Sequence, residues 1–296
     1  MSAEEYHKSV GDYYDAEAAS FEERAHQNHV LSTLRNRFRS VVMDGEVDHL
    51  LEIGYGPGLD MVWFAEQPRV AKVSGLDITP EFYKIVNKKA EFYPNITPFL
   101  GGPEQDQDLI EPSTFQTVYV FFGALNTTAD LERAVAGMAS VLKPGGRVVA
   151  TFVNKWYAFD ILWNVLTLRP KKAVARLKKV WGGYSPTRFL ASRCYSSRQV
   201  HAAFSKHLLR KRRVGFCITH LLGIATTGLR KAACEADGSM PSTVCFNGRQ
   251  HGMPVNTAFT SMRSRCEDVQ GNVAWPSWLP LPQPACRCHH PVEWTP

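Results

Sequence analysis

Two patterns of apolar and polar positions take turns along most of the chain. Short apolar runs stand at His49–Ile53, Lys72–Asp77, Ile96–Leu100, Thr117–Phe122 and Val148–Val153. Each has the length of a strand, and the unbroken run at Thr117–Phe122 is of the kind buried on both faces of a parallel sheet. Between them lie amphipathic stretches with helical spacing, Leu59–Glu66, Pro80–Phe92 and Asp130–Leu142. Strands that alternate with helices predict an α/β fold: a doubly wound, mostly parallel sheet with helices on both faces.

The flanks of this core carry their own signals. Residues 4–42 read as helical, with Phe21, His29, Leu31, Leu34 and Phe38 loosely on one face. After Val153 comes an insertion, 154–193. Its aromatic stretch around Trp156, Tyr157 and Trp163 is followed by a basic one around Lys171, Lys172, Lys178 and Lys179. Two amphipathic helices are expected there. Ser196 or Ser197 caps a further helix, and a sixth strand is expected at Arg213–Thr219. Beyond about Leu221 the alternation stops and no further strand is expected. Proline is dense over Pro276–Pro284, which argues against regular structure. The organisation expected is therefore a cap at 1–45, a core at 46–153, the insertion at 154–193, the last helix and strand at 194–220, and an irregular tail at 221–296.

Composition narrows the class. The chain has 296 residues, 44% hydrophobic and 21% charged, as in an ordinary globular protein. No run approaches a membrane span, and the polar N-terminus is not a secretory signal, so a cytoplasmic location is expected. The net charge of +6 permits an acidic partner without demanding one. All seven cysteines lie from Cys194 onward, an odd number that argues against a disulfide framework. Cys286-Arg287-Cys288-His289-His290 lacks the second ligand pair that a zinc site needs, so no metal is expected. The rise of Cys, Arg, Pro, Trp and His beyond about residue 220 is what a shifted reading frame produces, and that region is read as foreign to the core.

The candidate chemistry lies where the first strand breaks. Leu50–Ile53 runs into Gly54-Tyr55-Gly56-Pro57-Gly58, and a helix follows. Glycines clear side chains where a ligand lies against backbone, and the free N–H groups of a helix start face that ligand. Glu52 places a carboxylate at the edge of the sheet where open α/β folds bind ligands. The dinucleotide turn has the spacing G-x-G-x-x-G, but here Leu59 stands where its third glycine belongs. A carboxylate ahead of the glycines also suits a cation better than a diphosphate. Asp77, 23 residues beyond Gly54, has the spacing of a ribose acceptor. It equally reads as a cap for the helix at Thr79-Pro80, and the two roles are compatible.

Glu52-Ile53-Gly54-Tyr55-Gly56-Pro57-Gly58 resembles the first motif of the class I S-adenosylmethionine (SAM) methyltransferases. Leu142-Lys143-Pro144-Gly145-Gly146-Arg147 before an apolar strand resembles a second signature of that family. The resemblance covers about residues 6–219. It implies a Rossmann-like sheet with an N-terminal cap helix and a helical insertion after strand five. It also implies S-adenosyl-L-methionine as cofactor. Glu52, Gly54, Tyr55, Gly56 and Gly58 are then expected at its methionine portion, Asp77 at the ribose and Ile78 at the adenine. Gly102 occupies the place of an aspartate usual after strand three, with Glu104 as a substitute. Phe122 and the loop Gly123–Asn126 are expected beside the methyl group, and Gln116 replaces a common aspartate. Tyr14, with Tyr6 and Phe21, either lines the cleft or packs in the core.

The nearest group resembles the small-molecule enzymes that include the quinone-biosynthesis methyltransferases. That implies methyl transfer to an O, N or C atom of a small acceptor, apolar or acidic. Nucleic acid is not expected as a partner, because no Asn-Pro-Pro-Tyr or Pro-Cys motif follows strand four. The insertion is a substrate lid by resemblance. By its residues it is either a solvated basic helix or a weak membrane-surface contact through 154–180. No general base stands out, and His7, His29 and Asp12 are the nearest candidates. A catalytically silent SAM-binding protein is the alternative, favoured by the missing aspartate and the irregular end.

Overall fold

A computed structural model describes residues 3–104, 109–182, 189–215 and 289–295. Three helices lead the chain: α1 (Ala3–Asp15), α2 (Ala18–Gln27) and α3 (His29–Met43). The single helical region expected at 4–42 is thus broken twice. The second break is Asn28, whose side chain accepts from the Leu31 N–H at 3.1 Å and starts α3 afresh.

The core then alternates β1 (His49–Ile53), α4 (Leu59–Ala65), β2 (Lys72–Asp77), α5 (Pro80–Ala90), β3 (Ile96–Leu100), β4 (Phe115–Val120), α6 (Leu131–Val141) and β5 (Leu142–Val153). The insertion holds α7 (Ala158–Leu166) and α8 (Pro170–Ala173). After it come α9 (Ser197–Phe204), β6 (Leu209–Arg213) and β7 (His289–Thr295). The strands form one seven-stranded sheet in the order β3-β2-β1-β4-β5-β7-β6. The first five are parallel, and β7 is antiparallel to both β5 and β6.

Neighbouring strand residues point to opposite faces, and two cores follow from this. Leu50, Val73, Tyr119 and Val149 face Phe38, Val42, Phe64, Phe82 and Val86 of α3, α4 and α5. Leu51, Leu76, Val118, Val120 and Val148 face Val135, Met138 and Phe204 of α6 and α9. The Lys143–Gly146 turn lies inside β5 as an excursion. Leu142 pairs with Phe115, and pairing resumes at Arg147 with Thr117. A Cβ on Gly146 would lie 2.8 Å from the Lys143 carbonyl oxygen, so only glycine fits there. Gln116 does structural work in the aspartate's place, accepting from the His49 N–H at 2.9 Å to tie β4 to the start of β1.

Three expectations are corrected. The sixth strand lies at Leu209–Arg213, earlier than the Arg213–Thr219 expected. All five of its residues are exposed, so no apolar run marked it. A seventh strand exists where none was expected, and it belongs to the core. Trp294 of β7 is buried, stacking on Phe204 at 4.9 Å between ring centroids. The tail after Leu221 therefore returns to the sheet, whatever its composition. The second insertion helix is one turn, α8, followed by a 3₁₀ turn at Ala175–Leu177. Its lysines have no acidic residues spaced to support a longer helix. Residues 276–284, with Cys286 and Cys288, lie outside the described residues.

Candidate functional site

The glycine turn after β1 is shaped first by the protein's own packing. Gly54 has φ +73°, and a Cβ there would meet the Cβ of Ala124 at 2.6 Å. Gly58 has φ +79° and abuts Val86 of α5, where a Cβ would lie 2.8 Å from a valine methyl. Only Gly56 of the three faces space, its nearest neighbour beyond the turn being Phe82 at 3.9 Å. Lys89 clamps the turn from outside. Its Nζ donates to the Pro57 carbonyl at 2.9 Å and to both carboxylate oxygens of Glu22 on α2.

The turn opens onto a cavity of about 410 Å³, within the range of small-molecule sites. Its walls bring together Glu52, Gly54, Tyr55, Gly56, Asp77, Ile78, Phe122 and Tyr14, all expected from sequence. Gly58 and Gly123 do not line it. Gly58 starts α4, and Gly123 is packed against Asn126 and Val153. Gly102 is not a wall residue either; it lies behind Ile78 and Glu104.

Asp77 is held for use. Its Oδ2 accepts from the Gly56 N–H at 2.8 Å and its Oδ1 from the Thr79 N–H at 2.9 Å. Both sequence roles therefore coexist: one bond caps α5, one fixes the glycine turn, and each oxygen keeps a second acceptor direction. Burial raises its pKa, and the two backbone donors pull it back.

Glu104 takes the place left by Gly102. Its Oε1 accepts from His7 Nε2 at 3.1 Å, the Ala129 N–H at 2.9 Å and the Asp130 N–H at 3.1 Å. Its Oε2 is buried with no hydrogen-bond partner among the described residues. That oxygen stands 3.3 Å from where a Gly102 Cβ would be, beside Ile78. Burial opposes the Glu104 charge, but the bonds from His7 and the Asp130 N–H outweigh it and the pKa falls. His7 is raised in turn, chiefly by the hydrogen bond to Glu104. His7 is thus engaged with Glu104 at the Ile78 end of the cavity. Asp12 is exposed and paired with Lys8 at 2.8 Å. Neither is placed as a base.

Sequence reasoning missed a buried charge cluster beyond Glu52. Asp60 accepts from Arg39 Nε at 2.6 Å and from Arg35. Arg35 also lies over the Phe122 ring at 4.6 Å, and Phe122 itself adopts φ +51°, uncommon for a residue with a side chain. Glu52 accepts from the Tyr119 hydroxyl at 2.8 Å. Burial, then the Asp60 charge, push its pKa well up, against the pull of Tyr119, Arg35 and Arg39. The signal was present as Arg35 and Arg39 four apart on α3 and an acid in the first turn of α4. The remaining wall here is Phe21, Arg24, Asn28, Leu31 and Phe121.

The model of a methyltransferase domain family matches residues 50–146, the span from β1 through the start of β5. That span is about a third of the chain, and it holds the glycine turn, Asp77 and Glu104. Among solved structures, the chain is similar to the YcgJ protein of Bacillus subtilis, at 17% identity and TM-score 0.50, covering 88% of this chain and 98% of that one. It is similar as well to the N-methyltransferase NodS of Bradyrhizobium japonicum WM9, solved with S-adenosyl-L-homocysteine, at 16% identity and TM-score 0.50, covering 70% and 90%. At these identities the likeness to solved structures is one of fold. No curated protein matches the chain in sequence.

Proposed function

We propose that the cavity binds S-adenosyl-L-methionine and that the protein transfers its methyl group to an O, N or C atom of a small-molecule acceptor. The observation that carries this reading is the single cavity in which the glycine turn, Glu52, Asp77 and the unpartnered Glu104 oxygen converge. Each group answers one part of the cofactor. Glu52 suits the ammonium of the methionine portion, Asp77 the two ribose hydroxyls, Ile78 the adenine face. Glu104 Oε2 suits the adenine amine, a donor that would satisfy its open acceptor.

Bound S-adenosyl-L-methionine supplies a methyl group already activated by the sulfonium charge. The chain's part is to hold the acceptor in line and keep water out. The α1 and α2 helices close the cavity through Tyr13, Tyr14, Glu17 and Phe21. Phe21, Leu31, Phe121 and Phe122 with Arg24 and Arg35 favour an acceptor with an apolar body and an acidic group.

The test is turnover. Incubated with S-adenosyl-L-methionine and a panel of phenols, quinols and fatty acids, the protein is expected to release S-adenosylhomocysteine with at least one. Tight cofactor binding without product from any acceptor would support a silent binder; response to NAD with no affinity for S-adenosyl-L-methionine would sink the proposal.

A further inference from the structure

The insertion between β5 and α9 is built with its polarity reversed. In α7 the polar Asn164 is buried, its amide donating to the carbonyl and carboxylate of Asp160 at 2.8 and 2.9 Å. The helix turns Leu162, Val165 and Leu166 outward instead, on one face by their spacing. The chain then bends at Leu168, which adopts φ +54° and is 88% exposed. A residue with a side chain rarely takes that conformation, and here it holds a leucine at the tip of a helical hairpin. Arg169, Lys171 and Lys172 follow at once, all exposed.

The hairpin is anchored to the core. Arg176 Nε meets Asp160 Oδ2 at 3.0 Å, and its guanidinium lies over Trp181 at 4.5 Å and Tyr157 at 5.3 Å. Asn154 bridges to Tyr195 beside α9. The exposed leucines thus belong to a fixed element, with no described residue covering them.

Between Asn154 and Gly182 stand seven Lys and Arg against one Asp, a net +6 equal to that of the whole chain. Apolar tip and surrounding cations together select the partner. A second copy would set like charges against each other. A nucleic acid would use the cations and leave the leucines in water. An anionic lipid surface uses both: the apolar face enters the acyl boundary while the cations meet the headgroups. No helix among the described residues is long and apolar enough to cross a membrane, so the contact is with one leaflet.

We infer that the α7–α8 hairpin docks this protein on anionic membrane surfaces through Leu162, Val165, Leu166 and Leu168, flanked by Arg169, Lys171 and Lys172. The surface lies outside the cofactor cavity and does not depend on the reaction proposed for it.

Co-sedimentation of the full chain with vesicles tests this. Phosphatidylcholine vesicles containing phosphatidylglycerol should carry the protein down at low salt and release it at high salt. Pure phosphatidylcholine should bind at least about tenfold more weakly, since each cation near the surface is worth about fivefold. Leu166→Glu with Leu168→Glu, and separately Lys171→Glu with Lys172→Glu, should each weaken binding at least about tenfold. Melting temperature and S-adenosyl-L-methionine binding should stay unchanged in both. No sedimentation above protein alone, equal binding to both lipids, or wild-type binding by either variant would overturn the inference. So would a wild-type dimer that the leucine pair dissolves, or duplex DNA binding that only the lysine pair abolishes.

Discussion

His7 on the first helix and Glu104 after the third strand meet at 3.1 Å, joining the cap to the sheet. The histidine pKa is raised by this bond and the carboxyl pKa lowered. Stability from the raised His7 is fully present below its ordinary 6.5 and is lost as pH climbs through the higher folded value. Stability from the lowered Glu104 is present above its ordinary 4.5 and is lost as pH falls through the lower folded value. The latch is therefore strongest between those two ordinary values. Protection factors in 3–15, with exchange corrected for the base-catalysed rise of the intrinsic rate, should be higher at pH 6 than at pH 9, and His7→Ala should abolish the difference. An unchanged pH dependence in that variant would remove the latch from the account.

Asp77 is fixed by two backbone N–H groups, and its proposed partners are the two ribose hydroxyls. Losing two hydrogen bonds to a charged group costs about 3 kcal/mol, or roughly a hundredfold in affinity. Calorimetry with S-adenosyl-L-methionine should show that loss in Asp77→Ala. Because Asp77 also ties Gly56, Asp77→Asn should be compared, with melting curves separating binding from folding. Equal affinity in Asp77→Ala and wild type would refute the site.

The Glu104 oxygen should read the base. A carboxylate accepts from the adenine amine and repels the carbonyl oxygen of the inosine analogue. Wild-type protein should prefer S-adenosylhomocysteine over S-inosylhomocysteine by about tenfold or more. In Glu104→Gln the amide can donate or accept, so the preference should collapse. A merely structural Glu104 would lower both affinities together and leave the ratio alone.

Burial and the Asp60 charge hold Glu52 toward its protonated form. Meeting a ligand ammonium requires the ionised form, so binding should release a proton. Affinity should therefore rise with pH until Glu52 is ionised without ligand. Calorimetry in two buffers of different ionisation enthalpy measures the proton directly; proton uptake, or none, would count against Glu52 as the partner.

Trp294 fills the core under α9. Trp294→Ala should cost roughly 3–5 kcal/mol, visible as a lower urea midpoint. A midpoint within error of wild type would show that β7 is dispensable to the sheet.

The first half of this architecture was legible because burial wrote it. β1, β2 and β3 fall at the residues read from apolar runs, since each is enclosed by helices and bounded by turn residues. The glycine turn and Asp77 were legible as walls of one cavity because their spacing is local in sequence. The Glu104–His7 pair and the Arg35–Asp60–Arg39 cluster were not, because their members come from separate elements and only packing unites them. β6 was placed too late and β7 was missed, for another reason. Leu209–Arg213 is exposed throughout, and His289–Thr295 carries Pro291 inside a strand between two others. Proline there argues against a strand on local grounds. Backbone pairing and one buried tryptophan, not an apolar pattern, place them.

The last strand is a wedge rather than an appendage. It enters between β5 and β6, so β6 borders no strand until His289–Thr295 arrives. A ribosome must pass Thr295 before the sheet can close, and a stop between Arg213 and His289 removes not one ladder from this side but both.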